Sequence, residues 1–208
     1  MKKTSKPARR SPARAKASKP SRGGSRTPAR RTAKPARQTG GSRATTSSAK
    51  RVYLERFRRE MPTTLAVMRA FPSDQPDFRP HDRSSTAMRL IHTFVFENFG
   101  LLEGTKGDLK IPPDFPPPPV TLPEAIDAYE RGAKKAIAAI EALPDSRLSE
   151  TINFFTGPGT MGRIPVMEFF WNMLLDSIHH RGQLSVYVRL AGGRVPSIYG
   201  PTADVPWR

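Results

Sequence analysis

"PVMEFFWNMLLDSIHHRGQLSVYVRLAGG", residues 165 to 193, is the stretch whose reading decides the fold. It opens on a proline, carries apolar side chains at three- and four-residue spacings, and stops at Gly192 and Gly193, so it predicts one long helix with a glycine stop. Within it Asp176, His180 and Gln183 follow the i, i+4, i+7 rule and share a face, while His179 lies about 100° away. Gly182 costs about 1 kcal/mol relative to alanine inside a helix, which predicts a close backbone approach or a packing need at that point.

Working outward, "RVYLERFRREMPTTLAVMRAFP" (51–72) places Val52, Leu54, Phe57, Met61, Leu65, Met68 and Phe71 at helical spacing. Pro62 is expected to kink this helix or divide it, and Pro72 to stop it. Ser84 or Ser85 is the expected cap of a second helix, "TAMRLIHTFVFENFGLLEG", ending near Gly100 or Gly104. "DLKIPPDFPPPPV" (108–120) is too proline-rich for anything but an extended connection wrapping the body. Thr121 and Glu124 form a capping box with Pro123 in the first turn, starting a third helix that ends before Pro144. Residues 151–164, "TINFFTGPGTMGRI", read as a short hairpin or an irregular excursion. Four helices with long connections predict an all-α four-helix bundle.

Composition sets the boundary of that bundle. The chain has 208 residues, no cysteine and a net charge of +17. Residues 1–51 hold 17 of the 35 Lys and Arg and none of the 18 Asp and Glu, so the remainder is balanced at 18 of each sign. The large apolar residues other than Met1 all follow position 51, where a domain-sized core can form. Residues 1–50, built of recurring P-A-R and K-P-A elements, are expected to be a disordered arm, because they cannot bury enough apolar surface to offset the entropy of ordering. Such an arm suits non-specific contact with nucleic acid or another polyanion through phosphate neutralisation, or serves only to solubilise. It has no aromatic residue to stack on bases.

The lack of cysteine excludes disulfides and thiolate metal sites. No stretch approaches the roughly 18 apolar residues of a membrane span, and no apolar run follows the basic start as a secretory signal requires. No membrane association and a cytoplasmic location are therefore expected.

The face carrying Asp176 and His180 has two readings. The pair is either half of a metal site completed from a second helix, or a buried Asp–His hydrogen bond that fixes the helix. Gln183 and Tyr187 continue the stripe, where an amide and a phenol either orient a ligand or complete a core. Arg181 is either solvated or paired with a carboxylate on a neighbouring helix. His179 is expected to face solvent. His81, in the loop before the second helix, has no such spacing.

The segment "HHRGQLSVYVRLAGGRVPSIYGPTAD" (179–204) resembles the C-terminal signature of the DinB-like (DinB/YfiT) superfamily, with H-R-G-Q followed by an apolar helical end and V-P. Weaker agreement in "FRREMPTTLAVMRAFP", the second helix and the stretch before the last helix extends the resemblance over residues 51–208. It implies a four-helix bundle, often dimeric, that holds a divalent metal, commonly zinc or nickel. The implied ligands are one histidine of the second helix, best matched by His92, and two positions of the last helix, which fall on Asp176 and His180. Asp176 stands where the family usually has histidine, and carboxylate is an acceptable substitute. Glu97, five residues past His92, is expected either to replace or assist it as a ligand, to act as a general base towards a metal-bound water, or to be only an exposed helix charge. The resemblance further implies thiol-dependent transfer or a related isomerisation, with the low-molecular-weight thiol supplied from outside, since the chain has no cysteine of its own. A homodimeric, non-catalytic bundle tethered to nucleic acid by its arm is the alternative.

Overall fold

The computed structural model describes residues 47–207. Four helices, α1 (Ser48–Ala70), α2 (Ala87–Gly104), α3 (Leu122–Ala142) and α4 (Val166–Leu190), form the body, with a 3-10 turn (Asp145–Ser149) and two strands, β1 (Thr151–Gly157) and β2 (Thr160–Pro165), before α4. The bundle is thus not purely helical. The two strands pair antiparallel, with Ile152 opposite Ile164, and reverse direction through Pro158 and Gly159, whose φ of 67° suits glycine.

The expected arm, residues 1–50, lies outside the described residues up to position 46. Its last residues do not stay apart from the fold. Ser47 caps α1 by accepting from Lys50 N, and buried Lys50 reaches Asp145 at 2.7 Å and the Leu143 carbonyl at 2.7 Å. The helix therefore begins three residues before Arg51. It runs through Pro62 as one piece, because Pro62 sits on the exposed side, where water can serve the carbonyl that its missing N–H leaves free. Thr86, not Ser84 or Ser85, caps α2 by accepting from Arg89 N. The Thr121–Glu124 capping box of α3 forms in both directions.

α1 packs against α3 and α4, and α2 packs against the same two, so α1 and α2 are diagonal neighbours, as are α3 and α4. Their apolar stripes make two clusters. One surrounds Met68, Ile91, Phe94, Leu184 and Val188; the other surrounds Tyr53, Phe57, Leu101, Ile140, Phe169 and Phe170. Between them every helix but α3 contributes buried polar side chains: Glu60 and Thr64 from α1, Glu97 and Asn98 from α2, and Arg181 from α4. Asn98 Nδ2 donates to the Tyr129 carbonyl at 3.2 Å, which ties α3 to this layer. A polar layer inside a bundle is costly unless each group finds a partner, so its partners identify what it does.

Gly182 is exposed, and a Cβ added there meets nothing within 4 Å, so the expected close approach is absent. The tight glycines lie elsewhere: a Cβ on Gly193 would sit 2.6 Å from the Ala70 carbonyl oxygen, and one on Gly104 would sit 2.4 Å from the Phe169 ring.

Candidate metal centre

The polar layer divides into two halves. In one half, Arg181 is the largest fully buried side chain of the described residues. Its Nη2 lies 2.8 Å from Glu60 Oε2, its Nη1 reaches Thr64 Oγ1 at 3.3 Å and the Glu60 carbonyl at 3.4 Å, and it also donates to the Tyr199 hydroxyl. Tyr199 donates in turn to Glu60 Oε2 at 2.7 Å, with the guanidinium 5.0 Å from its ring centroid. Burial raises the Glu60 carboxyl, but hydrogen bonds from Tyr199 and Arg181, the Arg181 charge and Arg56 outweigh it and hold the group below its ordinary value. The C-terminal segment that delivers Tyr199 is held by Asp204, which accepts from Val195 N at 2.9 Å and pairs with Arg189 at 2.6 Å.

This half fixes the rotation of α4. Arg181 points into the bundle towards α1, so its neighbour His180, one residue earlier and about 100° round, faces α2. There His180 Nδ1 lies 3.2 Å from Glu97 Oε1 and 3.6 Å from Asp176 Oδ1. Among the described residues, Glu97, Asp176 and His180 form the group that could hold a metal ion, with one ligand atom from each lying within 4.8 Å of the others. Glu97 is buried, His180 part-buried, and Asp176 half-exposed at the mouth.

Glu97 Oε2 provides the test of fit. It is buried without a hydrogen-bond partner among the described residues, and a proton, a water or a cation would each satisfy it. Burial, with the Asp176 charge adding to it, pushes the Glu97 carboxyl up to about 7 against the lowering contacts of the His180 and Ser177 side chains. The Glu97 hydrogen bond raises His180 in turn, against its own desolvation. Both groups thus bind a proton more tightly than they would in water. Two carboxylates and an imidazole are also an oxygen and nitrogen donor set that suits a first-row divalent ion, and they leave further coordination positions open. The residues present fit a metal.

The remaining residues singled out in the sequence fall as follows. His92 does not join the group: its Nε2 bonds to the Pro119 carbonyl at 2.7 Å, where it ties the proline-rich connection to α2. Gln183 is exposed and pairs with His179 Nε2 at 2.9 Å, on the solvent side of α4. Tyr187 is buried and donates to the Ser85 carbonyl at 3.0 Å. Gln183 and Tyr187 nonetheless line a polar cavity of about 440 Å³ together with His180 and Arg89. His81 accepts from Arg83 N within its own loop.

Sequence patterning does not single out Glu60, Thr64 or Tyr199, although part of the signal is present. Glu60 and Thr64 occupy the apolar stripe of α1 between Phe57 and Met68, and Arg181 follows Leu174 and precedes Leu184 and Val188 on the stripe of α4. A charge on each of two apolar stripes points to a buried ion pair. Nothing in the sequence places Tyr199 on it.

The sequence profile of the DinB superfamily matches residues 55–184, more than half of the chain. The chain belongs to the DinB superfamily. The chain is also similar to the uncharacterized protein YrdA of Bacillus subtilis (strain 168), at 30% identity over 89 residues, covering 42% of this chain and 50% of YrdA. The chain thus spans half the length of that curated relative. Two solved DinB-like structures share the fold: YjoA of Bacillus subtilis, at 16% identity and TM-score 0.57, covering 75% of this chain and 96% of YjoA, and a protein of Bacillus cereus ATCC 10987, at 23% identity and TM-score 0.58, covering 71% and 95%. Among the described residues of this DinB chain, no helix is long and apolar enough to cross a membrane.

Proposed function

We propose that Glu97, Asp176 and His180 hold a divalent metal, zinc or nickel, and that the centre serves a metal-dependent reaction with an external nucleophile, either water or a low-molecular-weight thiol. The observation that carries this reading is the convergence of Glu97 from α2 on Asp176 and His180 from α4, with Glu97 Oε2 buried and unpartnered. When bound, a divalent ion with open positions supplies Lewis acidity, which makes a coordinated water or thiol a nucleophile near neutral pH. The protein's own residues do the rest. Glu97 and His180 give up the proton they share, Asp176 closes the set from the mouth, and the Arg181–Glu60 pair holds α4 in the rotation that keeps His180 turned towards Glu97.

Metal analysis of the purified full chain tests this. Near-stoichiometric metal is expected in the wild type, with loss in Glu97→Gln, Asp176→Ala and His180→Ala. A wild type that is metal-free, and whose stability does not respond to added zinc or nickel, would overturn the reading.

A second reading concerns the arm, carried by the 17 basic and no acidic residues of positions 1–51. It serves as a non-specific polyanion tether for a homodimeric bundle in the cytoplasm, and binding should weaken steeply as salt rises. Deleting residues 1–46 should abolish salt-sensitive retention on DNA; unchanged retention excludes the tether.

A further inference from the structure

Beside the metal centre lies a cavity of about 570 Å³, bounded by α2, α4, the β-hairpin and the first part of the proline-rich connection. Glu97 and Asp176 form one end of it. The rest is aromatic. Phe115 of the connection packs on Phe96 with centroids 4.4 Å apart and on Phe99 at 5.6 Å, making one wall. Phe154 packs on Phe169 at 4.9 Å and on Phe155 at 5.8 Å, making the other. Phe115 and Phe155 are 43% and 51% exposed, a large apolar outlay at a surface position unless something covers it.

The charges around the mouth are already matched: Glu103 with Lys106 at 2.5 Å, Asp108 with Arg163 at 3.2 Å, and Asp114 with Lys110. No cation among them is left for an anionic ligand, and the end next to the metal centre presents two carboxylates, buried Glu97 and half-exposed Asp176. The volume falls within the range of small-molecule sites, about 300 to 1,000 Å³, and a flat ring lying among aromatic side chains gains offset or edge contacts beyond area burial. Gly100 leaves the floor open, since a Cβ there first meets Met173 Sδ at 3.8 Å.

We infer that this cavity is a binding site for an uncharged aromatic small molecule, held between the two phenylalanine walls with its polar end towards Glu97 and Asp176. The inference deepens the metal-centre reading by naming the substrate class of that site, and rests on it only for which end of the ligand reacts.

The test uses the full chain and two fluorescent probes of one skeleton, uncharged N-phenyl-1-naphthylamine and its sulfonated relative 8-anilinonaphthalene-1-sulfonate. The uncharged probe should bind saturably at one per chain, and the sulfonate at least tenfold more weakly. Gly100→Leu fills the floor while replacing a helix-interior glycine, so it should keep its melting temperature yet weaken the uncharged probe at least tenfold. Phe115→Ala, on the exposed connection, should weaken it severalfold without loss of fold. Non-saturable binding, equal binding of the sulfonate, or undiminished binding by a folded Gly100→Leu each overturns the inference. Metal content measured on the same preparations separates the two readings: probe binding that behaves as stated in a chain that takes up no metal sinks the metal centre and upholds the cavity. Metal without probe binding does the reverse.

Discussion

Replacing Arg181 with methionine keeps much of the side-chain volume and removes the charge from a fully buried site. It leaves the Glu60 carboxyl, 3% exposed, with only the Tyr199 hydroxyl at 2.7 Å and the half-exposed Arg56 guanidinium at 3.4 Å. Breaking a buried pair by removing one partner costs about 3 to 5 kcal/mol. The escape route, protonating Glu60, sets a similar scale: holding a carboxyl of ordinary affinity neutral at pH 7 costs about 3.5 kcal/mol. For a domain of this size each kcal/mol lowers the melting temperature by about 2 to 4 °C, so a fall of roughly 10 °C is expected at pH 7. Circular dichroism on heating, with urea titration for the free energy, reads it directly. Adding Glu60→Gln should recover at least half of the loss, because no unpaired charge then remains buried. The penalty should also shrink towards pH 4, where the neutral carboxyl needs no counter-ion. A loss under about 1 kcal/mol, or a double variant as unstable as the sum of the singles, would refute the view that this pair is coupled and anchors α4.

Other outcomes follow from the same geometry. In the wild type Glu60 is depressed on folding, so its contribution is full above the unfolded carboxyl value and is lost as pH falls through the lower folded value; Glu60→Gln should flatten acid unfolding below about pH 4, read by urea midpoints across pH. Gly182→Ala should stabilise by up to about 1 kcal/mol, since its Cβ meets open space on an exposed helical face, whereas Gly193→Ala should destabilise because its Cβ would press on the Ala70 carbonyl; thermal melts distinguish the two. His92→Ala should retain bound metal by elemental analysis while loosening residues 108–120 to proteolysis, because its bond goes to Pro119. Thr121→Ala should cost about 1 kcal/mol through loss of the capping box, measured by urea titration.

Much of the fold was legible because it rests on local rules. The α3 box needs only Thr121 and Glu124, the α4 stop needs only Gly192, and the hairpin needs the Gly-rich turn between two short runs. The site was half legible for the same reason. Asp176 and His180 are one helical turn apart, so spacing alone puts them side by side, but which residue of α2 meets them depends on the rotation and depth of a helix from elsewhere in the chain. His92 and Glu97 are five apart, about 140° round the helix, so they cannot both face α4. The bundle turns Glu97 inward, alongside buried Phe94, Asn98 and Leu101, and leaves His92 to the connection.

The α4 triplet His180, Arg181, Gly182 then acquires separate physical roles. Arg181 is the residue that cannot be solvated; its carboxylate, hydroxyl and carbonyl partners all come from α1 and the C-terminal segment. Once it is committed to α1, His180 has α2 in front of it, and Gly182 is carried round to solvent with nothing to fill. The exposed glycine therefore owes nothing to packing against the rest of the bundle. The buried ion pair, costly by itself, sets the direction of the imidazole beside it, so the stability of the Arg181–Glu60 half and the occupancy of the Glu97–His180 half should fail together when Arg181 is replaced.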